Sequence, residues 1–323
     1  MIYIVANANC TSGGPELLHQ FCHYLNVIGK DAKMAYYHKL SFPTKTIGDN
    51  VKKSYGRYGC QIADKIVDTT DNIVVLAEGE LWFLPRFKHA KIMIWWLSVD
   101  NYFNSMKTKY ARLYAPLGMN RKKFYPFDNN YIHCVQSEYA RQFLIKKGIL
   151  ENNIYSLSDY LSSEFINETC NEQQVNKENI ILYNPKKGVT FTKKIIDSCV
   201  GLKFVPLINL THEKMIEIMM RSKVYIDFGN HPGKDRIPRE AAMCGCCVIT
   251  NLEGSAANDK DVDIPSKYKI EMRDDNISKI IETIKDCFNN YKVCRTDFDN
   301  YRNEIKSQEC KFISEVKYIS RIL

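Results

Sequence analysis

VYIDFGNHPGKDRIPREAAMCGCCVITNLEGSAAN, residues 224–258, decides how this chain is read. Val224 to Phe228 has the pattern of a buried strand. A Gly-rich basic loop follows, then a short helix opened by Pro238, an apolar strand from Cys246 to Thr250, and a small-residue loop. Strand, polar loop and helix N-terminus in that order make a seat for an anionic phosphate, because unsatisfied backbone N–H groups and the positive end of the helix dipole point at it. Gly233 permits close backbone approach, and Lys234 and Arg236 can neutralise phosphate charge. Glu240 falls about one turn into the helix, where its carboxylate can accept two ribose hydroxyls. The ordinary alternative is a surface helix with Arg239 and Glu240 facing water. His231 suits a phosphate donor or a plain turn residue. Ser255 and Asn258 belong to a second small-residue turn whose amides can complete the cradle.

Upstream, Ile180 to Tyr183 is a strand, and Asn184-Pro185-Lys186-Lys187-Gly188 lies at its C-terminal end. Two lysines beside a glycine at a helix entry suit a pyrophosphate, with a solvated lysine pair as the alternative. Helices are expected over residues 190–200, 211–220, 276–291 and from about 298 to the terminus, and a strand over 203–208. The first half alternates in the same way. Strands are expected at 2–6, 32–37, 72–77, 91–97 and 131–135, with helices at 15–28 and 137–147. Such alternation means βαβ units and a parallel sheet. Residues 156–179 are rich in Ser, Asn, Glu and Gln, and are taken as the interdomain linker. The expected fold is therefore α/β: two Rossmann-like, doubly wound domains facing a central cleft, spanning 1–158 and 159–300, with a last helix at 301–323.

The first domain offers its own candidates. Asn7 to Glu16, NANCTSGGPE, follows the first strand, and Gly13 and Gly14 allow a ligand close to the backbone. Neither G-x-G-x-x-G nor a Walker A loop occurs, so neither nucleotide fingerprint is supported. Asp100, after the fourth strand, is the candidate general base, with Glu78, Glu80 and Glu16 as rivals. Asp261-Val262-Asp263 is taken as a surface turn, and no metal site is expected.

Bulk properties narrow the class. The chain has 323 residues, 45% hydrophobic and 25% charged, a globular balance. No apolar run approaches the roughly 18 residues of a membrane span, and no signal peptide pattern opens the chain, so a cytoplasmic protein is expected. Its 12 cysteines are then reduced, and Cys244, Cys246 and Cys247 are taken as buried small hydrophobes. The net charge of +8 favours anionic partners. Residues 104–127 hold six Lys or Arg among aromatics and no acid, a candidate peripheral contact with an anionic membrane or else a solvated face. The cations of the second half follow strand ends instead of forming one stripe, so no nucleic acid is expected.

Four segments carry a resemblance to a family. SGGPELLHQFCHYLNVIGKDAKM, QSEYARQFLIKKGI, YNPKKG and FGNHPGKDRIPREAAMCGCCVITN together resemble glycosyltransferases of the GT-B fold, particularly the retaining group 1 enzymes that build bacterial surface polysaccharides. The resemblance implies a second domain that binds a nucleoside-diphosphate sugar as donor substrate, without a cofactor, and a first domain that binds a glycan or lipid-linked acceptor. By that analogy Glu240 holds the ribose, and Lys186, Lys187, Lys234 and Arg236 hold the diphosphate. The last helix would return to the first domain. Many retaining members carry two glutamates seven residues apart. Here the first would fall at Pro232, so retention of configuration is not implied. Two other functions fit the same residues: a GT-B-fold epimerase of nucleotide-sugars, and a non-catalytic nucleotide- or nucleic-acid-binding protein.

Overall fold

The computed structural model describes residues 1–38, 41–105, 127–169 and 175–323. The chain forms two compact units, Met1–Asp159 with Cys310–Leu323, and Tyr160–Glu309. Most of the candidate membrane contact at 104–127 lies outside the described residues. Among the described residues, no helix is long and apolar enough to cross a membrane.

The first unit is built on a six-stranded sheet. Its strands are β1 (Ile2–Asn7), β2 (Ala32–Tyr37), β3 (Ile73–Ala77), β4 (Lys91–Trp96), β5 (Ile132–Val135) and β6 (Ile154–Ser156), in the order β2-β1-β3-β4-β5-β6. Every pairing is parallel. Parallel strands covered on both faces need continuous apolar runs. Ile73 to Ala77 is such a run, buried at all positions. The helix Gly13–Val27 buries Leu17, Leu18, Phe21 and Leu25 on one face, the spacing expected at 3.6 residues per turn. Several short elements escape the sequence reading, among them the helix Val99–Ser105. The edge strand β6 has three residues, too few for a periodic signal. The helix Asp49–Tyr55 and the 3-10 helix Glu78–Arg86, which carries Pro85, are short and irregular in composition.

Among its described residues the second unit has four strands: β7 (Glu178–Tyr183), β8 (Lys203–Pro206), β9 (Ser222–Asp227) and β10 (Cys247–Thr250). Their order is β10-β9-β7-β8, again all parallel. Cys244, Cys246 and Cys247 are at most 1% exposed and belong to its apolar core. The segment expected to be linker contains the helix Ser163–Glu168, whose Phe165 joins the same core.

The long helix Asp299–Ile322 contributes to both units. Its first half gives Tyr301 and Ile305 to the core of the second. Its last half gives Phe312, which packs on Trp95 and Tyr24, and Glu315, which accepts hydrogen bonds from Ser158 N and Oγ at 2.7 and 2.6 Å, in the first.

Candidate functional site

In the second unit β7 lies between β8 and β9, so the chain direction across the sheet reverses at the β7/β9 boundary. Open parallel sheets bind ligands at the carboxyl ends of strands at that boundary. The loops leaving β7 and β9 there are the two basic segments, and they touch. Gly188 has φ +63°, and a Cβ on it would sit 2.1 Å from the Phe228 carbonyl oxygen. Only glycine permits that contact. A third loop closes on the second. Ser255 N donates to the His231 carbonyl at 2.8 Å, and Ser255 Oγ donates to the Gly233 carbonyl at 2.6 Å. Asn251 Nδ2 donates to the Gly229 carbonyl at 2.7 Å. Segments 184–188, 228–236 and 251–255 thus form one assembly.

A buried charge cluster pins it. Lys187 Nζ stands 2.6 Å from Asp235 Oδ2 and 3.1 Å from Asp227 Oδ2, and donates to the Asn230 carbonyl at 3.2 Å. Burial works against the ammonium, but the two carboxylates outweigh it and hold the lysine above its ordinary value. Burial would likewise lift Asp235. The hydrogen bond from His231 and the charge of Lys187 prevail, and its carboxyl lies below the usual range. His231 Nδ1 is 3.0 Å from Asp235 Oδ2, and its Nε2 is 3.4 Å from the Asp227 carbonyl. Asp227 also accepts from Tyr225 Oη at 2.9 Å and from Gly229 N at 3.2 Å. Asp227, His231 and Asp235 offer ligand atoms within 4.8 Å of one another. A divalent ion there would have to displace the Lys187 ammonium.

The other predicted residues fall into three groups. Lys234 is 6% exposed with its ammonium 3.1 Å from Glu304, and Arg239 is fully buried. The Arg239 guanidinium donates to the Lys234 and Asp235 carbonyls at 3.0 and 3.1 Å and to Gln308 at 2.8 Å. Lys187, His231, Arg239 and Ser255, expected to face a ligand, are thus engaged in holding the loops. Asn258 is also turned inward, bonded to Asp261 through its own side-chain oxygen and nitrogen. Asp261 is 2% exposed, so the expected surface turn at 261–263 is half wrong: Asp263 is exposed and Asp261 is a buried anchor.

A second group surrounds the loop surface. Lys186 is exposed, and its amide is held by Asn184 Oδ1 at 3.0 Å. The helix runs Arg236–Met243 and begins two residues before Pro238, with Asp235 at its N-cap. Pro238 sits in the first turn, where a missing N–H costs nothing. Arg236 is partly exposed, and its Nε is 3.6 Å from Glu240 Oε1. Amides at the starts of Val189–Asp197 and Arg236–Met243 complete a surface suited to an anion.

The third group belongs to the first unit. Gly13 and Gly14 start the helix Gly13–Val27 instead of forming a loop, and neither has positive φ. Gly14 lines a cavity at the strand ends together with Glu78, Glu80, Asn101 and Asn104. Asp100 lies in the first turn of Val99–Ser105 and is not among the lining residues. Sequence reasoning missed Asp227, Glu304, Gln308 and the two asparagines. One signal was available: Asp227 ends a strand read as buried, and a buried carboxylate requires a cationic partner.

No family model matches the chain, and no curated protein matches it in sequence. Solved structures do resemble it. A glycosyltransferase from Rickettsia africae is 13% identical with TM-score 0.60, covering 98% of each chain. Anabaena HepE in complex with UDP-glucose is 10% identical with TM-score 0.64, covering 100% of this chain and 99% of that one. Sucrose-phosphate synthase from Thermosynechococcus elongatus is 11% identical with TM-score 0.64, covering 99% and 98%. These likenesses establish the fold: two parallel α/β sheets of the GT-B type.

Proposed function

We propose that this GT-B-fold chain is a glycosyltransferase that moves a sugar from a nucleoside-diphosphate sugar to an acceptor hydroxyl. The observation that carries the reading is the convergence of segments 184–188, 228–236 and 251–255 at the switch point of the second sheet. The likeness to HepE, crystallised with UDP-glucose, supports it.

In this reading the diphosphate lies across the helix starts at Val189 and Arg236, with Lys186 and Arg236 as its cations. Charge grows on the departing diphosphate as the sugar leaves, and preorganised donors lower the barrier by stabilising that charge. Glu240 accepts the ribose hydroxyls, with Arg236 beside it fixing its carboxylate. Lys187, Asp227, His231, Asp235 and Arg239 keep the loops in place before the donor arrives, so less ordering entropy opposes binding. We further propose a glycan or lipid-linked saccharide of a bacterial surface polysaccharide as the acceptor, on the resemblance of the four sequence segments.

Arg236→Ala and Lys186→Ala are expected to weaken UDP binding by at least about tenfold each, the loss of a charge-assisted contact worth about 1.5–3 kcal/mol. Melting temperature should hardly change in Lys186→Ala, whose side chain is exposed. Calorimetric titration with UDP and UDP-sugars measures this. Unchanged affinity in both variants removes the assignment.

A further inference from the structure

The second unit has a cavity of about 730 Å³ at the other end of its sheet. Lys177 immediately precedes β7 and Lys223 is the second residue of β9, so the cavity sits at the amino ends of these strands. The basic loops 184–188 and 228–236 leave the carboxyl ends. Each strand has six residues, which puts roughly 20 Å between the two places at about 3.3 Å per residue. A single diphosphate does not span both.

The charged side chains among the described lining residues are all cations: Lys177, Lys223, Lys292 and Arg295. Two of them have a structural task. The helices His212–Arg221, Arg236–Met243 and Ile277–Asn289 end at this side of the sheet, and helix C-termini draw positive charge. Lys177 Nζ donates to the carbonyls of Met219 and Ser222 at 3.2 and 3.1 Å, and to that of Cys244. Lys223 Nζ donates to the Phe288 carbonyl at 2.9 Å and to Asn179 Oδ1 at 2.7 Å.

The remaining cations exceed what the helix ends require. Lys292 is exposed at the rim beside Val293. Behind the wall, Arg302 is 4% exposed, and its Nη2 donates to the Arg295 carbonyl at 2.8 Å and to the Asp299 carboxylate. Its Nη1 is buried without a hydrogen-bond partner. A buried guanidinium N–H left without an acceptor costs free energy. Burial pushes Lys177 and Arg295 below their ordinary values, and the charge of Arg302 adds to the fall in both. Positive groups crowd here, and an anion in the cavity would relieve them.

We propose that this cavity binds a multiply phosphorylated small molecule at a place separate from the basic loops. Several phosphate oxygens match several ammonium and guanidinium groups at once. The volume falls within the range of small-molecule sites, about 300–1,000 Å³. Phe288, Tyr291 and Val293 add apolar wall, which excludes water and strengthens each charge contact. The inference stands on this cavity and not on the transferase reading.

The test is calorimetric titration of the full chain with tripolyphosphate and with orthophosphate, the binding place being read by backbone hydrogen exchange. Tripolyphosphate is expected to bind at least about tenfold more tightly than orthophosphate, because more charges meet the same cations. Protection is expected in residues 175–177 and 288–296. Lys292→Glu and Val293→Glu should each weaken tripolyphosphate binding at least about tenfold. Both positions are exposed, so both variants should fold, and their affinity for UDP should stay within about twofold of the parent. No binding, protection confined to 184–190 and 229–237, or an affinity unmoved by both substitutions overturns the proposal. Protection at 288–296 without any UDP binding leaves the cavity proposal standing and removes the donor reading. UDP binding without that protection removes the cavity proposal alone.

Discussion

Lys187 sits between two carboxylates with 17% of its side chain exposed, and removing its charge leaves the buried Asp227 and the partly exposed Asp235 without their shared cation. Breaking one side of a buried ion pair costs about 3–5 kcal/mol. Lys187→Met should lower the unfolding free energy by about that amount at neutral pH in a urea titration. A loss below about 1 kcal/mol, the level of an exposed pair, would contradict the brace role. Glu78 carries a linkage of the same sign as that of Lys187, in a lower pH range. Burial puts its folded value at about 8, above its ordinary 4.5, so the unfolded chain releases this proton first. Its stabilising contribution is complete below about 4.5 and falls as pH rises toward 8, by an upper bound of about 5 kcal/mol at 1.4 kcal/mol per unit. Glu78→Gln should flatten melting temperature against pH across that window, and an unchanged slope would contradict it. Residue identities in the basic loop were legible in the sequence, but their partners were not. Glu304 and Gln308 reach Lys234 and Arg239 from about 70 residues away, and no local pattern announces that.

At the scale of elements, the close approach of two loops decides the site. Gly188 and Gly254 both have positive φ, and a Cβ on either would fall within 2.1 Å of a carbonyl oxygen, Phe228 for the first and His231 for the second. Gly188→Ala should cost on the order of 1–3 kcal/mol in backbone strain. It should also weaken UDP binding by at least about tenfold, since the helix start at Val189 must shift. Retained stability and affinity together would show that the loops yield, and would count against a preformed cradle. The long apolar strands were legible because their runs are bounded by turn residues, as in Ile2 to Ala6 and Val224 to Phe228. The start of Arg236–Met243 was not, because Pro238 suits the first position and Asp235 is the true N-cap. The 3-10 helix Glu78–Arg86 was missed because Gly79 and Pro85 break any helical period.

At the scale of the whole molecule, alternating strands and helices announced two α/β units. Strand order was not legible, since β1 joining β2 on one edge and β3 on the other depends on which way each crossover turns. That order matters, because it sets the switch points at which the basic loops and the first unit's cavity lie. The helix Asp299–Ile322 serves both units, so its substitutions should act on each through local packing. Phe312 is fully buried against Trp95 and Tyr24, and Phe312→Ala should cost about 3–5 kcal/mol, read as a lower urea midpoint. A shift equivalent to less than about 1 kcal/mol would show that the last turns of the helix do not carry the first unit's core. The central claim is that three loops at the β7/β9 switch point grip a nucleoside diphosphate, and backbone hydrogen exchange with and without UDP tests it most directly. Protection concentrated in segments 184–190, 229–237 and 251–256 is the predicted result, and UDP binding that leaves all three unprotected would contradict it.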